Sequence, residues 1–119
     1  MTAILKHMLN DSFALDRAFA ALSDPVRRGM IARLSHGPAS VSELAQPHPI
    51  SLPAVLQHLK ALEASGLVRS EKRGRVRTVS IESAALSEAE SWLAERRKEW
   101  GALHDRFDAF VSTLKPAGE

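Results

Sequence analysis

The stretch Ser51-Leu52-Pro53-Ala54-Val55-Leu56-Gln57-His58-Leu59-Lys60-Ala61-Leu62-Glu63-Ala64-Ser65-Gly66 decides the fold. Ser51 is placed to cap a helix, Pro53 is tolerated in its first turn, and Gly66 stands where a left-handed residue ends one. At 100° per residue, Val55, Leu59 and Leu62 share one side and define the core face. Pro53 and Gln57 lie opposite, with Lys60 next to them. Leu52 and Leu56 flank one edge of the core stripe and His58 flanks the other.

Upstream, Ser40 and Glu43 have the spacing of a capping box, which predicts a short helix to about Gln46. Pro47-His48-Pro49-Ile50 cannot be helix interior and reads as a turn, so residues of about 40–65 form a helix-turn-helix. Downstream, Leu67–Lys72 and Val76–Ile81 are β-prone runs flanking Arg73-Gly74-Arg75, with glycine suited to a hairpin tip. A basic hairpin over about 67–81, directly after a helix-turn-helix, predicts a wing. The expected fold is therefore mainly α with a small β-hairpin, a winged helix-turn-helix.

The remaining chain fits this frame. After a loosely apolar lead-in (Ile4, Leu5, Met8, Leu9), Asp11 or Ser12 caps a first helix of about 12–22, whose inward stripe is Leu15, Ala18, Phe19 and Leu22. Ser23-Asp24-Pro25 stops it and starts a second helix to about Ser35. There Val26, Met30, Ile31 and Leu34 point inward and Arg27, Arg28 and Arg33 largely outward. His36-Gly37-Pro38 ends it. Ser87 and Glu90 suggest a second capping box opening a last helix of about 87–113, with Pro116 beyond its end. The order is helix, helix, helix, turn, helix, strand, strand, helix, read as one DNA-binding domain over residues 1–119.

Composition sets the limits. The chain has 119 residues, 45% hydrophobic and 25% charged, with no cysteine. That suits one globular domain and excludes disulfide and thiolate chemistry. No apolar run reaches the length of a membrane span and the start lacks a secretory core, so a cytoplasmic home without membrane contact is expected. The net charge of +2 is a weak argument for nucleic acid. Its distribution says more: six Lys/Arg between Lys60 and Arg77 face only Glu63 and Glu71, whereas Glu82 to Phe110 is net acidic.

A recognition helix entering the major groove would present Ser51, Leu52, Pro53, Leu56 and Gln57 to base edges, with Ser40 and Lys60 beside them. Gln57 can pair with adenine and leucine can pack on a thymine methyl. Arg73, Arg75 and Arg77, with Lys72, bracket Gly74 and could reach phosphates or a narrow minor groove. In the last helix Leu86, Leu93, Trp100, Phe107 and Leu114 recur every seven residues, with Ala89, Leu103 and Phe110 between them and Arg96 the exception. That heptad seam predicts pairing with a second helix. Leu15, Phe19, Leu93, Trp100, Leu103, Phe107 and Phe110 are the expected dimer contacts, with Trp92 and Val111 available for packing within the chain.

The stretches Leu22–Arg28, Ser51–Lys60, Ala61–Val68 and Gly74–Arg77 resemble the ArsR family of bacterial repressors over roughly residues 12–113. The resemblance implies a winged-helix homodimer that occupies a pseudo-palindromic operator on double-stranded DNA. It places base contacts at Leu52, Pro53, Leu56 and Gln57, although polar residues are commoner at positions 52 and 56. Many members sense metals. Here the third helix carries no cysteine, and the last helix offers only His104 and Asp105 as neighbours, which point 100° apart. His7, His36, His48 and His58 are scattered, so neither metal nor cofactor is expected. Catalysis is not expected either, since there is no Ser/His/acid signature and no glycine-rich phosphate loop. Two alternatives stay open: a protein-binding winged helix, and a regulator switched by an unknown small-molecule effector lodged among Trp92, Trp100, Phe107 and Phe110.

Overall fold

The computed structural model describes residues 13–114. The apolar lead-in (Ile4, Leu5, Met8, Leu9), the caps expected at Asp11 or Ser12, and Pro116 lie outside the described residues. Helices cover 13–22 (α1), Pro25–Leu34 (α2), Val41–Ala45 (α3), Leu52–Ala64 (α4) and Ser83–Thr113 (α5). Strands cover Ala39–Ser40 (β1), Val68–Arg73 (β2) and Val76–Ile81 (β3). This is the winged helix-turn-helix anticipated above. No described helix is long and apolar enough to cross a membrane. The chain divides into two compact units at Ala89/Glu90.

In the first unit, helix starts follow their caps. The Asp24 carboxylate accepts from the Val26 and Arg27 amides, with Pro25 in the first turn of α2. Ser40 and Glu43 close a reciprocal capping box on α3, and the Ser51 hydroxyl accepts from the Ala54 amide on α4. Helix α4 ends in a Schellman motif: the Leu67 amide donates to the Leu62 carbonyl and the Gly66 amide to Glu63. Gly66 has φ +79°, a left-handed conformation that a β-carbon would strain.

The wing hairpin pairs Arg73 with Val76, leaving Gly74-Arg75 as a two-residue turn. Gly74 has φ +62° and Arg75 does not share a positive φ, as a type II′ turn requires. Strand β1, unforeseen in the sequence, adds a third antiparallel member through Ala39 opposite Val79 and Ser40 opposite Thr78. Two residues are too few to show an alternating pattern. The pairing ties the start of α3 to the wing. Beneath lie Met30, Leu44, Val55, Leu62, Leu67 and Val79, all essentially inaccessible to water. Val26 and Ile31, with Leu22, pack half-buried against this core.

Three expectations need correction. Helix α5 starts at Ser83, so Ser87 lies inside it and opens no capping box. Ala84, Ala85 and Leu86 are good helix formers, and packing of Ala85 and Leu86 on the core draws the helix back toward the sheet. Arg27 does not point outward: its guanidinium donates to the Ala21 carbonyl at 2.7 Å and reaches His58 Nδ1 at 3.2 Å. Arg33 likewise bends back, donating to the Gly37 carbonyl and to Glu43 Oε2 at 3.1 Å.

In the second unit, the rest of α5 exposes its large residues. Leu93, Trp100, Leu103, Phe107, Phe110 and Leu114 are each at least half exposed. Trp92 and Val111, which the sequence offered for packing within the chain, are also exposed. Arg96 sits over the Trp92 ring at 5.1 Å.

Candidate nucleic-acid interface

Alternation along the wing sorts its cations. Lys72 stands directly opposite Arg77, and two residues along the same face Ser70 stands opposite the buried Val79. Lys72 and Arg77 therefore project on the side that faces α3 and α4. There, together with Arg75 and Val76, they bound a cleft of about 430 Å³ whose other walls are Ser40, Val41 and Ser42 and, from α4, Leu52 and Leu56. Leu52 is 58% exposed and Leu56 42%.

Five expected DNA-contacting residues thus meet in one place: Ser40, Leu52, Leu56, Arg75 and Arg77. Ser51, Pro53, Gln57 and Lys60 are exposed on α4 or its cap but outside the cleft lining. Arg73 is separated from the set. It alternates to the outer face of the wing, where it lines a second groove with Arg69, Glu71, Thr78, Ser80 and Pro38. Val41, Ser42 and Val76 were not anticipated as lining residues. For Val41 and Ser42 the signal is long-range, because β1 pairing brings the α3 start beside the wing.

Electrostatics separate the two faces. Arg73 lies 3.8 Å from Glu71, and Arg69 3.8 Å from Glu82. Among the described residues, no ion pair or side-chain hydrogen bond engages Lys72, Arg75 or Arg77. The cleft rim is cationic and uncompensated, the arrangement that attracts a polyanion.

The cleft rests on charged caps. Backbone hydrogen bonding from Arg27 holds the Asp24 carboxyl below its usual range, helped by the nearby His58 and the Val26 amide. His58, on α4, places Nδ1 3.2 Å from the Arg27 guanidinium and 3.8 Å from Asp24 Oδ2, so α4 meets the start of α2 here. Glu43 is also held low, first by the Ser40 amide, then by the Ser40 hydroxyl and Arg33.

On α5 the acid that His104 meets is Asp108, at 3.4 Å one helical turn away, rather than its neighbour Asp105. Among the described residues no group of three or more His, Asp or Glu could hold a metal ion.

Residues 22–71 match the helix-turn-helix domain family. The chain is 44% identical over 72 residues to the HTH-type transcriptional regulator Rv2034 of Mycobacterium tuberculosis, spanning 60% of this chain and 67% of that protein. It superposes on the crystal structure of an ArsR family transcriptional regulator, RHA00566, with a TM-score of 0.72 and 47% identity, covering 76% of this chain and 93% of that one. The fold is also similar to the homodimeric winged helix-turn-helix DNA-binding domain Mb0332 from Mycobacterium bovis, at a TM-score of 0.59 and 24% identity, covering 78% and 86%. A capped helix-turn-helix, a wing with a cationic inner face, and relatives of this identity and coverage lead to one assignment: the chain belongs to the ArsR family of winged-helix, DNA-binding transcriptional regulators, which is not a class of enzymes.

Proposed function

We propose that the chain is a cytoplasmic repressor that acts as a homodimer on a pseudo-palindromic operator, all 119 residues serving as one DNA-binding domain. The observation that carries this reading is the cleft, where exposed α4 residues meet three uncompensated wing cations. In this reading α4 enters the major groove by its N-terminal end. Leu52, Pro53, Leu56 and Gln57 approach base edges, while Ser40, Ser51, Lys60, Lys72, Arg75 and Arg77 hold phosphates.

The exposed seam of α5 supports pairing. Leu93, Trp100, Leu103, Phe107 and Phe110 repeat at heptad spacing, and a contiguous apolar surface of this kind marks an interaction site. Leu15 and Phe19 of α1 add to the contact with the second copy. Mb0332 is described as homodimeric, in keeping with this assembly. A two-fold dimer presents two recognition helices to one face of DNA.

Selection from random double-stranded DNA tests the proposal. It predicts inverted repeats with half-site centres about one helical turn apart, roughly 10–10.5 base pairs. Selected sites without two-fold symmetry would contradict it. A second reading, an effector-switched regulator, has one observation in its favour: an apolar groove of about 420 Å³ on α5, lined by Trp100, Leu103, His104, Phe107 and Asp108. Pairing of α5 with its copy uses the same residues, so an organic ligand there would compete with dimerisation. A ligand that binds without shifting the monomer–dimer equilibrium would remove this reading.

A further inference from the structure

The cleft has an apolar floor inside a cationic rim. Leu52 and Leu56 lie one turn apart on α4, both exposed, and Val76, 54% exposed, borders the cleft at the wing tip. None of the three side chains can donate or accept a hydrogen bond. The rim, Lys72, Arg75 and Arg77, suits a polyanion and is unsuited to an apolar peptide, which would strip water from three cations and return nothing.

Base edges differ in what they lose under a leucine. In the major groove guanine offers N7 and O6, adenine N7 and N6, and cytosine N4, and each polar atom covered by a leucine loses water without gaining a partner. Thymine also carries a polar O4, but it alone offers a methyl group, on C5, that a leucine can cover without stranding a polar atom. Residues four apart on a helix are separated by about 6 Å along its axis, close to two base-pair steps of about 3.4 Å.

We propose that Leu52 and Leu56 are specificity-determining residues that select thymine 5-methyl groups about two base-pair steps apart in each half-site. The inference rests on the cleft being the DNA-binding surface and adds what that surface reads. Phosphate contacts from the rim position the duplex, and the two leucines reject pairs that would place a bare polar edge beneath them.

The test uses the full chain and a selected DNA site, resynthesised with deoxyuridine in place of each thymine in turn. Only the methyl group changes, so protein folding, base pairing and phosphates stay constant. Affinity should fall about fourfold per contacted methyl, the value of one buried carbon, at one or two positions per half-site. The Leu52→Ala/Leu56→Ala variant, altered only at exposed positions, should bind the thymine and uracil forms equally. At those same positions a 5-methylcytosine·guanine pair should bind more tightly than cytosine·guanine. Equal binding of thymine and uracil forms at every position overturns the inference while leaving the DNA-binding surface intact. Discrimination that survives in the double-alanine variant overturns it too. If the thymine form itself shows no salt-dependent binding, the reading of the cleft fails together with the inference.

Discussion

Among the described residues, the apolar surface of the cleft and that of α5 are both exposed, and their borders differ. In the cleft, Leu52 and Leu56 lie within a rim of Lys72, Arg75 and Arg77 that no described carboxylate neutralises. On α5, Trp100, Leu103, Phe107 and Phe110 form a longer and more aromatic stripe, beside polar groups that engage each other, Arg96 with Glu99 at 2.8 Å and His104 with Asp108 at 3.4 Å. Exposed hydrophobic area alone does not name an occupant; the border does. An uncompensated cationic border calls for phosphate, whereas a self-neutralised one suits another apolar helix.

The largest effect that could break this contrast comes from α5. Trp100→Glu puts a carboxylate into the stripe, and sedimentation should then report monomers. Affinity for a site with two half-sites should drop about 100-fold or more through lost avidity, with single half-site binding unchanged. A surviving dimer would contradict the assignment of α5.

Within the wing the contrast sharpens. Arg75→Ala should weaken DNA binding about tenfold across all sequences, as expected for one charge-assisted phosphate contact. Arg73→Ala, on the outer face beside Glu71, should change it by no more than about twofold, the range of an exposed ion pair. Equal losses in a binding titration would mean that the two faces are not distinct. Glu71→Gln is expected to act in the opposite direction and more weakly, raising non-specific affinity slightly by removing one negative charge from the wing.

The smallest effect concerns the caps that position the cleft. Asp24 and Glu43 are held below the ordinary carboxylate range in the folded chain, so folding favours their ionised forms. That stabilisation is fully present only above the ordinary Asp and Glu values, the higher of them about 4.5, and is lost as pH falls through the lower folded values. The thermal midpoint of the parent should decline on acidification, and Asp24→Asn/Glu43→Gln should flatten that decline. Parallel curves for the two proteins would remove the caps from the account.

Local chemistry made most of the fold legible. Asp24-Pro25, Ser40 with Glu43, Ser51 with Pro53, Gly66 and Gly74 each announce their element, because caps and turns need only a few neighbouring residues. The heptad along α5 was equally plain. What escaped depends on partners far along the chain. Strand β1 is two residues long and exists through its pairing with β3. Arg27 and His58 meet across 31 positions. The start of α5 moved to Ser83 through packing on the core. Sequence counting also grouped Arg73 with Arg75, since only hairpin register tells which wing face each arginine takes.

The salt dependence of DNA affinity bears most directly on the cleft. The slope of log affinity against log salt should be measured for the parent and for the triple variant Lys72→Ala/Arg75→Ala/Arg77→Ala. Three lost phosphate contacts should flatten the slope by about 2.7, at roughly 0.9 per contact. An unchanged slope in the triple variant would contradict the account that this face of the wing meets DNA.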